Sequence, residues 1–352
     1  MLSINATSLV GQVIRDYNVW RDWQQFISGH NHLGIEISDQ GIPCFLWGQL
    51  QQINSCESQV VAIDSMTEGW HCAKVFRKYN VDKHYVIFSS GWWDKKQVNL
   101  PISYDLVYYP YWLMEMVDVS FSPHRFCFHQ DRHYSFEHKS YVFTSIIGGR
   151  RPERDQLVSL IQSKVNNLDY CLKYAGQWLR LPPSDVPDIM DTTSHYDSHA
   201  QLNTSYHYHN QHALYSSLLN ISYFNLVVET NIDMDQHSWF LTEKTLKAML
   251  CGCPFVIAAT PWFLRRLRDM GFRTYQDIWD ESYDEILDTS QRMCAIVDLC
   301  QELSKLNWAE HRRQLIEIRN HNFANLCNLG KVADQSFRHL ETIMSTLSWQ
   351  PT

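Results

Sequence analysis

The sequence predicts an α/β protein of two halves, each a parallel sheet with helices on its faces, followed by a helical C-terminal tail. Three observations carry that reading. Short apolar runs alternate with helical patterns over residues 59–109 and again over 140–270. Such alternation marks βαβ units, whose crossovers make the strands run parallel. The chain has 352 residues, 45% hydrophobic and 19% charged, which suits about two domain cores and is too apolar for a disordered chain. From Ser282 to about Ser345 apolar residues recur with a helical period, Ile286, Met293, Val297, Cys300 and Leu303 sharing one face.

In the first half, Gln59–Asp64 reads as a strand, Ser65–Tyr79 as a helix and His84–Phe88 as the next strand. Tyr104–Tyr109 is a further strand, with a helix from Pro110 and a short strand at Phe126–Phe128. A second start follows Ser140: strand Tyr141–Ile147, a turn through Gly148 and Gly149, and helix Glu153–Val165. That order opens a Rossmann-like domain, so the chain divides near residue 139 into segments 1–139 and 140–352. Residues 181–215 are irregular. Alternation resumes with strand Tyr223–Thr230, helix Thr242–Cys251, strand Pro254–Ala259 and helix Pro261–Met270. Thr242 caps the first of these helices, Leu246, Met249 and Leu250 form its buried face, and Gly252 ends it. Thr260 caps the second, with Pro261 at its first position and Gly271 past its end.

Composition narrows the function. Lys and Arg number 30 against 38 Asp and Glu, a net charge of −8. This disfavours a protein that neutralises many phosphates on a duplex, so a nucleic-acid partner is possible but not favoured. The N-terminus lacks a basic region followed by an apolar one, and the longest apolar run, Ala248–Leu264, contains Gly252, Pro254 and Pro261. The expectation is a cytoplasmic chain without a membrane span. Ten cysteines without a CxxC pair read as reduced thiols packed in a core. Cys251 and Cys253 have the wrong spacing for a zinc knuckle. His195, His199, His207, His209 and His212 form either a metal set or a polar loop facing solvent or ligand. No carboxylate pattern accompanies them, and the loop is the expectation. Trp92 and Trp93 at a strand end either pack in the core or stack a sugar ring.

The informative stretch is His237–Ala259. With Thr242 as cap, Glu243 and Lys244 take the first two helical positions. The helix dipole favours Glu there and disfavours Lys by about 0.3–1 kcal/mol. An anion at the helix start would remove that penalty and make Lys244 a charge-assisted donor; otherwise Lys244 simply points to water.

The run from Phe240 through Thr242, Glu243 and Lys244, followed by Gly252, Pro254, Phe255 and Val256, resembles the donor-binding motif of the α1,3-fucosyltransferase family. Phe255 stands where the family has Val. It is also similar to glycosyltransferase-like proteins of phages and marine bacteria, whose motif continues as here in Gly271–Tyr275 and Trp279–Tyr283. The resemblance covers roughly residues 223–290. It implies the GT-B fold, with two Rossmann-like domains, and a glycosyltransferase of hexosyl or fucosyl type. The donor would be a nucleoside-diphosphate sugar, GDP-sugar favoured, with no further cofactor. Glu243 would meet the donor ribose and Lys244 the diphosphate. The acceptor would be a hydroxyl of a glycan or another molecule.

Arg150, Arg151 and Arg154 flank the glycine turn and form either a solvated basic turn or a second phosphate contact. An inverting, metal-independent transfer needs a base for the acceptor hydroxyl. Asp64 and Glu68 are the candidates, at a strand end and the following helix start, where open α/β sheets bind ligands. A capping box from Ser65 explains Glu68 equally well, and Asp94 and Glu115 remain open. A transferase acting on modified DNA bases and a non-catalytic protein of the same fold, acting in binding or assembly, are the alternatives.

Overall fold

A computed structural model of the chain describes residues 134–182, 216–233 and 238–327, together with five strand segments nearer the N-terminus. The chain divides into two compact units, residues 1–118 with 237–241 and 327–352, and residues 119–236 with 242–326. The sequence reading divides the chain at residue 139. The lead-in from Tyr134 belongs with the second unit, because the Tyr134 hydroxyl donates to the Ser222 and Tyr223 carbonyls at 2.7 and 2.8 Å.

The first unit holds a parallel sheet of β1 (Ile35–Glu36), β2 (Val60–Ser65), β3 (His84–Ser89) and β5 (Ser103–Tyr108), in the order β1-β2-β3-β5. Strand β4 (Gly91–Trp93) pairs antiparallel with β10 (Ser238–Phe240), Trp92 opposite Trp239. The expected Ser65–Tyr79 helix, the helix from Pro110, the Phe126–Phe128 strand and the histidine-rich stretch lie outside the described residues.

The second unit is built on β6 (Tyr141–Ile147), β7 (Tyr170–Tyr174), β8 (Gln177–Arg180), β9 (Ser222–Val228) and β11 (Phe255–Ala258). Their order is β11-β9-β6-β7-β8, with only β8 antiparallel. Helix α1 (Pro152–Lys164) links β6 to β7, and α2 (Ser216–Leu219) precedes β9. Helix α3 (Glu243–Cys251) leads to β11, and α4 (Phe263–Asp269), α5 (Thr289–Leu303) and α6 (Trp308–Cys327) follow. From β6 the chain builds outward through β7 and β8, then returns to the other side of β6 as β9. The strand order therefore reverses between β6 and β9.

Parallel strands covered on both faces should be apolar throughout. Accordingly Phe143, Ile147, Phe224, Leu226 and Val228 are buried, with Phe143 stacked on Tyr170 at 4.8 Å. The expected face of α3 is too narrow, since Glu243 and every residue from Thr245 to Cys251 are buried. On α5 the expected stripe holds: Met293, Val297, Cys300 and Leu303 are buried, while Ile286 precedes the helix.

Two buried charges tie the elements together. Arg292 of α5 is 1% exposed and donates to the carbonyls of Ala259, Ile286, Leu287 and Ile232 at 2.6–3.2 Å. Asp284 accepts from the backbone N–H groups of Leu264 and Arg265 at 3.0 and 3.1 Å. That contact corrects the expected start of α4. Thr260 does not cap it; its buried hydroxyl has no partner, Trp262 is the boundary residue at φ 65°, and a carboxylate 20 residues downstream supplies the cap. The Trp279–Tyr283 run closes the same bracket. Glu281 accepts from Thr274 Oγ1, the Tyr275 N–H and Arg268 at 2.7–3.0 Å, and the Ile257 N–H donates to the Tyr283 hydroxyl at 3.3 Å.

Gly252 ends α3 at φ +72°, and a Cβ there would sit 2.5 Å from Cδ of Arg319. Gly252→Ala should cost about 1–2 kcal/mol from the left-handed backbone alone and more from the contact. Urea denaturation should show the larger loss in the native background and only the backbone part when Arg319 is also Ala. Equal losses in both backgrounds would show that the Arg319 stem yields freely.

Candidate functional site

Ligands of open α/β sheets bind beyond the carboxyl ends of strands, where the strand order reverses. In the second unit that place is the gap between the ends of β6 and β9. A cavity of about 400 Å³ opens there, within the range of small-molecule sites. Ile146, Val227 and Val228 contribute its apolar wall, Asn225 and Thr230 its polar points, and Arg151, Arg154, Glu243, Lys244 and Lys247 its charges. Four of the six sequence candidates from this unit thus share one cavity.

The α1 side follows from the glycine turn. Gly148 and Gly149 line the cavity. Neither needs a positive φ, and a Cβ on Gly149 would meet nothing within 4 Å. Arg151 is the boundary residue of α1, Pro152 is its first helical residue, and no side chain caps the start. Arg151 donates to the Thr230 carbonyl at 2.9 Å and to Asn231 Oδ1 at 3.3 Å. Arg154 is 4% exposed and donates to the Gly149 carbonyl at 2.9 Å and to those of Glu229 and Thr230 at 3.3 Å. Its buried Nε has no partner. Burial, with Arg151 beside it, lowers its pKa, yet guanidinium remains charged at any relevant pH.

Arg150 does not join them. It lies on the surface, paired with Asp155 at 3.0 Å, and Asp155 also accepts from the Tyr174 hydroxyl at 2.8 Å. Of the three arginines flanking the turn, Arg151 and Arg154 line the cavity and Arg150 is solvated, the first of the two alternatives for it.

The α3 side follows from its cap. Thr242 Oγ1 accepts from the Lys244 N–H at 3.4 Å, as expected of a capping threonine. Lys244 Nζ, however, has protein partners: Glu243 Oε1 at 2.8 Å, Thr230 Oγ1 at 3.2 Å and Thr242 Oγ1 at 3.3 Å. Burial pushes the Glu243 carboxyl up, but Lys244 and Lys247 more than offset this and hold it below the usual carboxylate range.

Behind this pair stands Glu229, which the sequence reading missed. It follows the last residue of β9 and is 1% exposed. Its carboxylate accepts from Thr242 Oγ1 at 2.5 Å, Thr245 Oγ1 at 2.6 Å, and the N–H groups of Thr230 and Thr242 at 3.3 and 3.4 Å. Burial pushes its pKa up, with Lys244 and the two threonines pulling it partly back. The start of α3 is therefore not vacant, since the protein's own carboxylate occupies it. The strand-end rule that selects Asp64 selects Glu229 equally. Lys247 reaches the cavity because it lies one turn beyond Glu243.

Glu68, Asp94 and Glu115 lie outside the described residues, and Asp64 is described only as backbone near the end of β2. Cys251 and Cys253 pack in the core with Tyr134 and Leu219. Among the described residues no three His, Cys, Asp or Glu side chains gather in a group able to hold a metal, and no helix is long and apolar enough to cross a membrane.

No family model matches the chain, and no curated protein matches it. Among solved structures it is similar to the spinosyn rhamnosyltransferase SpnG, at 11% identity and a TM-score of 0.28, over 92% of this chain and 81% of that one. A likeness at that level leaves the chemistry to be read from the site itself.

The raised pKa of Glu229 has a consequence for stability. Between the ordinary glutamate value and its own, the folded protein holds a proton at Glu229 that the unfolded chain has released, so this group's contribution falls as pH rises. Glu243, lowered when folded, contributes stability that is lost only as pH falls below the ordinary glutamate value, outside the interval from pH 7 to pH 5. The stability of the native protein relative to Glu229→Gln should thus increase on going from pH 7 to pH 5 in urea titrations. A constant difference would mean that Glu229 has an ordinary pKa.

Proposed function

We propose that this protein is a GT-B glycosyltransferase that moves a sugar from a nucleoside-diphosphate sugar to an acceptor hydroxyl, with inversion and without a metal. The reading is carried by the convergence of Arg151, Arg154, Glu243 and Lys244 on one cavity where the strand order reverses. Four cationic side chains line it against one carboxylate, which favours an anionic ligand.

In this reading the diphosphate lies between the uncapped start of α1 and the Lys244 ammonium. Glycines let it approach the backbone, and Arg154 Nε gains the partner it lacks. Lys244 exchanges Glu243 for a phosphate oxygen, and Glu243 turns to the ribose hydroxyls. As the glycosidic bond to the diphosphate breaks, negative charge grows on the leaving oxygens, and fixed cations stabilise that charge more than the ground state. A carboxylate of the first unit, Asp64 or Glu68, takes the acceptor proton. GDP is the favoured nucleotide.

A thermal-shift screen with GDP, UDP, CDP and ADP tests the reading. One nucleotide at 100 times its Kd should stabilise the protein by about 2.7 kcal/mol, a rise of about 4 °C. Arg151→Ala and Lys244→Met should each weaken that nucleotide roughly 10- to 100-fold, the loss of a charge-assisted hydrogen bond, whereas Arg150→Ala should leave it unchanged. Absence of a shift with all four, or equal effects of the three substitutions, would sink the assignment. Transfer from a labelled donor then separates an enzyme from a binding protein.

A further inference from the structure

We infer that Glu229 is a positioning residue, whose carboxylate fixes the start of α3 and, through it, sets the Glu243–Lys244 pair in the geometry that receives the ligand. The inference rests on the nucleotide reading of the cavity for its affinity measurement, and on the free protein for its second measurement.

The contacts form a continuous chain. Glu229 accepts hydrogen bonds from the Thr242 and Thr245 hydroxyls at 2.5 and 2.6 Å. With its proton committed to Glu229, Thr242 Oγ1 presents lone pairs to the Lys244 N–H and to Lys244 Nζ, at 3.4 and 3.3 Å. Thr230, whose N–H donates to Glu229 at 3.3 Å, offers its hydroxyl oxygen to the same ammonium at 3.2 Å. The polarity of the network is set at Glu229, whose two oxygens each accept from one threonine hydroxyl and one backbone N–H. Thr242 and Glu229 are each 1% exposed and Thr245 is fully buried, so water is not at hand to replace a lost partner.

Glutamine in this place has the same shape but the wrong polarity. Whichever oxygen the amide N–H₂ replaces, it faces a backbone N–H that cannot reverse, that of Thr242 at Oε1 or that of Thr230 at Oε2. Either Thr242 or Thr230 must then give way, and both hold the Lys244 ammonium, so either outcome moves it.

Three roles predict different results. A carboxylate behind an anion site repels the anion, so if charge alone mattered, its removal would tighten binding. A purely structural role would lower the unfolding temperature without changing the affinity of the folded protein. Positioning predicts weaker binding despite the loss of a repulsive charge.

The test compares the native protein with Glu229→Gln and Thr245→Val. GDP affinity is measured by calorimetry, and amide hydrogen exchange at Thr242 and Lys244 is measured without ligand, with Val142 in β6 as the reference. Positioning predicts at least tenfold weaker GDP binding for Glu229→Gln and a smaller loss for Thr245→Val. It also predicts at least tenfold faster exchange at Thr242 and Lys244, with Val142 unchanged relative to global stability. Equal or tighter GDP binding by folded Glu229→Gln overturns the inference. If the native protein fails to bind GDP, the GDP reading fails by itself, and exchange decides: selective loss of protection supports positioning, and unchanged exchange overturns it. If Glu229→Gln does not fold, Thr245→Val is judged by the same two measurements.

Discussion

A carboxylate buried without water must be given donors, and Glu229 dictates how the centre of the second unit is built. Burying it unpaired would cost several kcal/mol. The chain meets this demand with Thr242 and Thr245 on the first turn of α3 and with two backbone N–H groups. Those contacts bind the start of α3 to the end of β9, so the helix cannot shift without stranding a charge. The helix start that carries Glu243, Lys244 and Lys247 into the cavity wall is thereby tied to the end of β9.

Much of the second unit is legible in the sequence because its strands are covered on both faces. Tyr141–Ile147, Tyr223–Thr230 and Pro254–Ala259 read as strands from their apolar runs, and the structure places strands there within one or two residues at each end. The α3 boundaries are legible because Thr242 and Gly252 act locally. Strands β7 and β8 are not, since Lys173 interrupts the first, the second alternates with exposed residues, and the turn between them has Ala175 as well as Gly176 at positive φ. The start of α4 is illegible for another reason. Its cap comes from Asp284, and spacing within a helix says nothing about a carboxylate folded back from beyond it.

The site divides along the same line. Glu243 and Lys244 are legible because the Thr242 cap sets both, as an adjacent ion pair, in one turn of α3. Arg150, Arg151 and Arg154 cannot be sorted by sequence, because the path out of β6 decides which side of the turn each faces. Only after that path is known does Arg150 go to Asp155 and Arg151 to the Thr230 carbonyl. The Trp279–Tyr283 run, which reads as part of a donor motif, brackets α4 and β11 by Glu281 and Tyr283, a task that a local pattern does not announce.

Glu229 also changes what a lysine in the first turn of α3 signifies. In an isolated helix Lys244 would be unfavourable by about 0.3–1 kcal/mol, which calls for an anion. That anion is already present in the protein, since Glu229 sits at the helix start and Glu243 pairs with the ammonium at 2.8 Å. The position of Lys244 is therefore explained without any ligand. The unmet demand for an anion lies across the cavity, at the start of α1, where no side chain caps the helix and Arg154 keeps a buried Nε without an acceptor. Lys244 can therefore take a new partner only by giving up Glu243, whereas the start of α1 has no side-chain cap to displace.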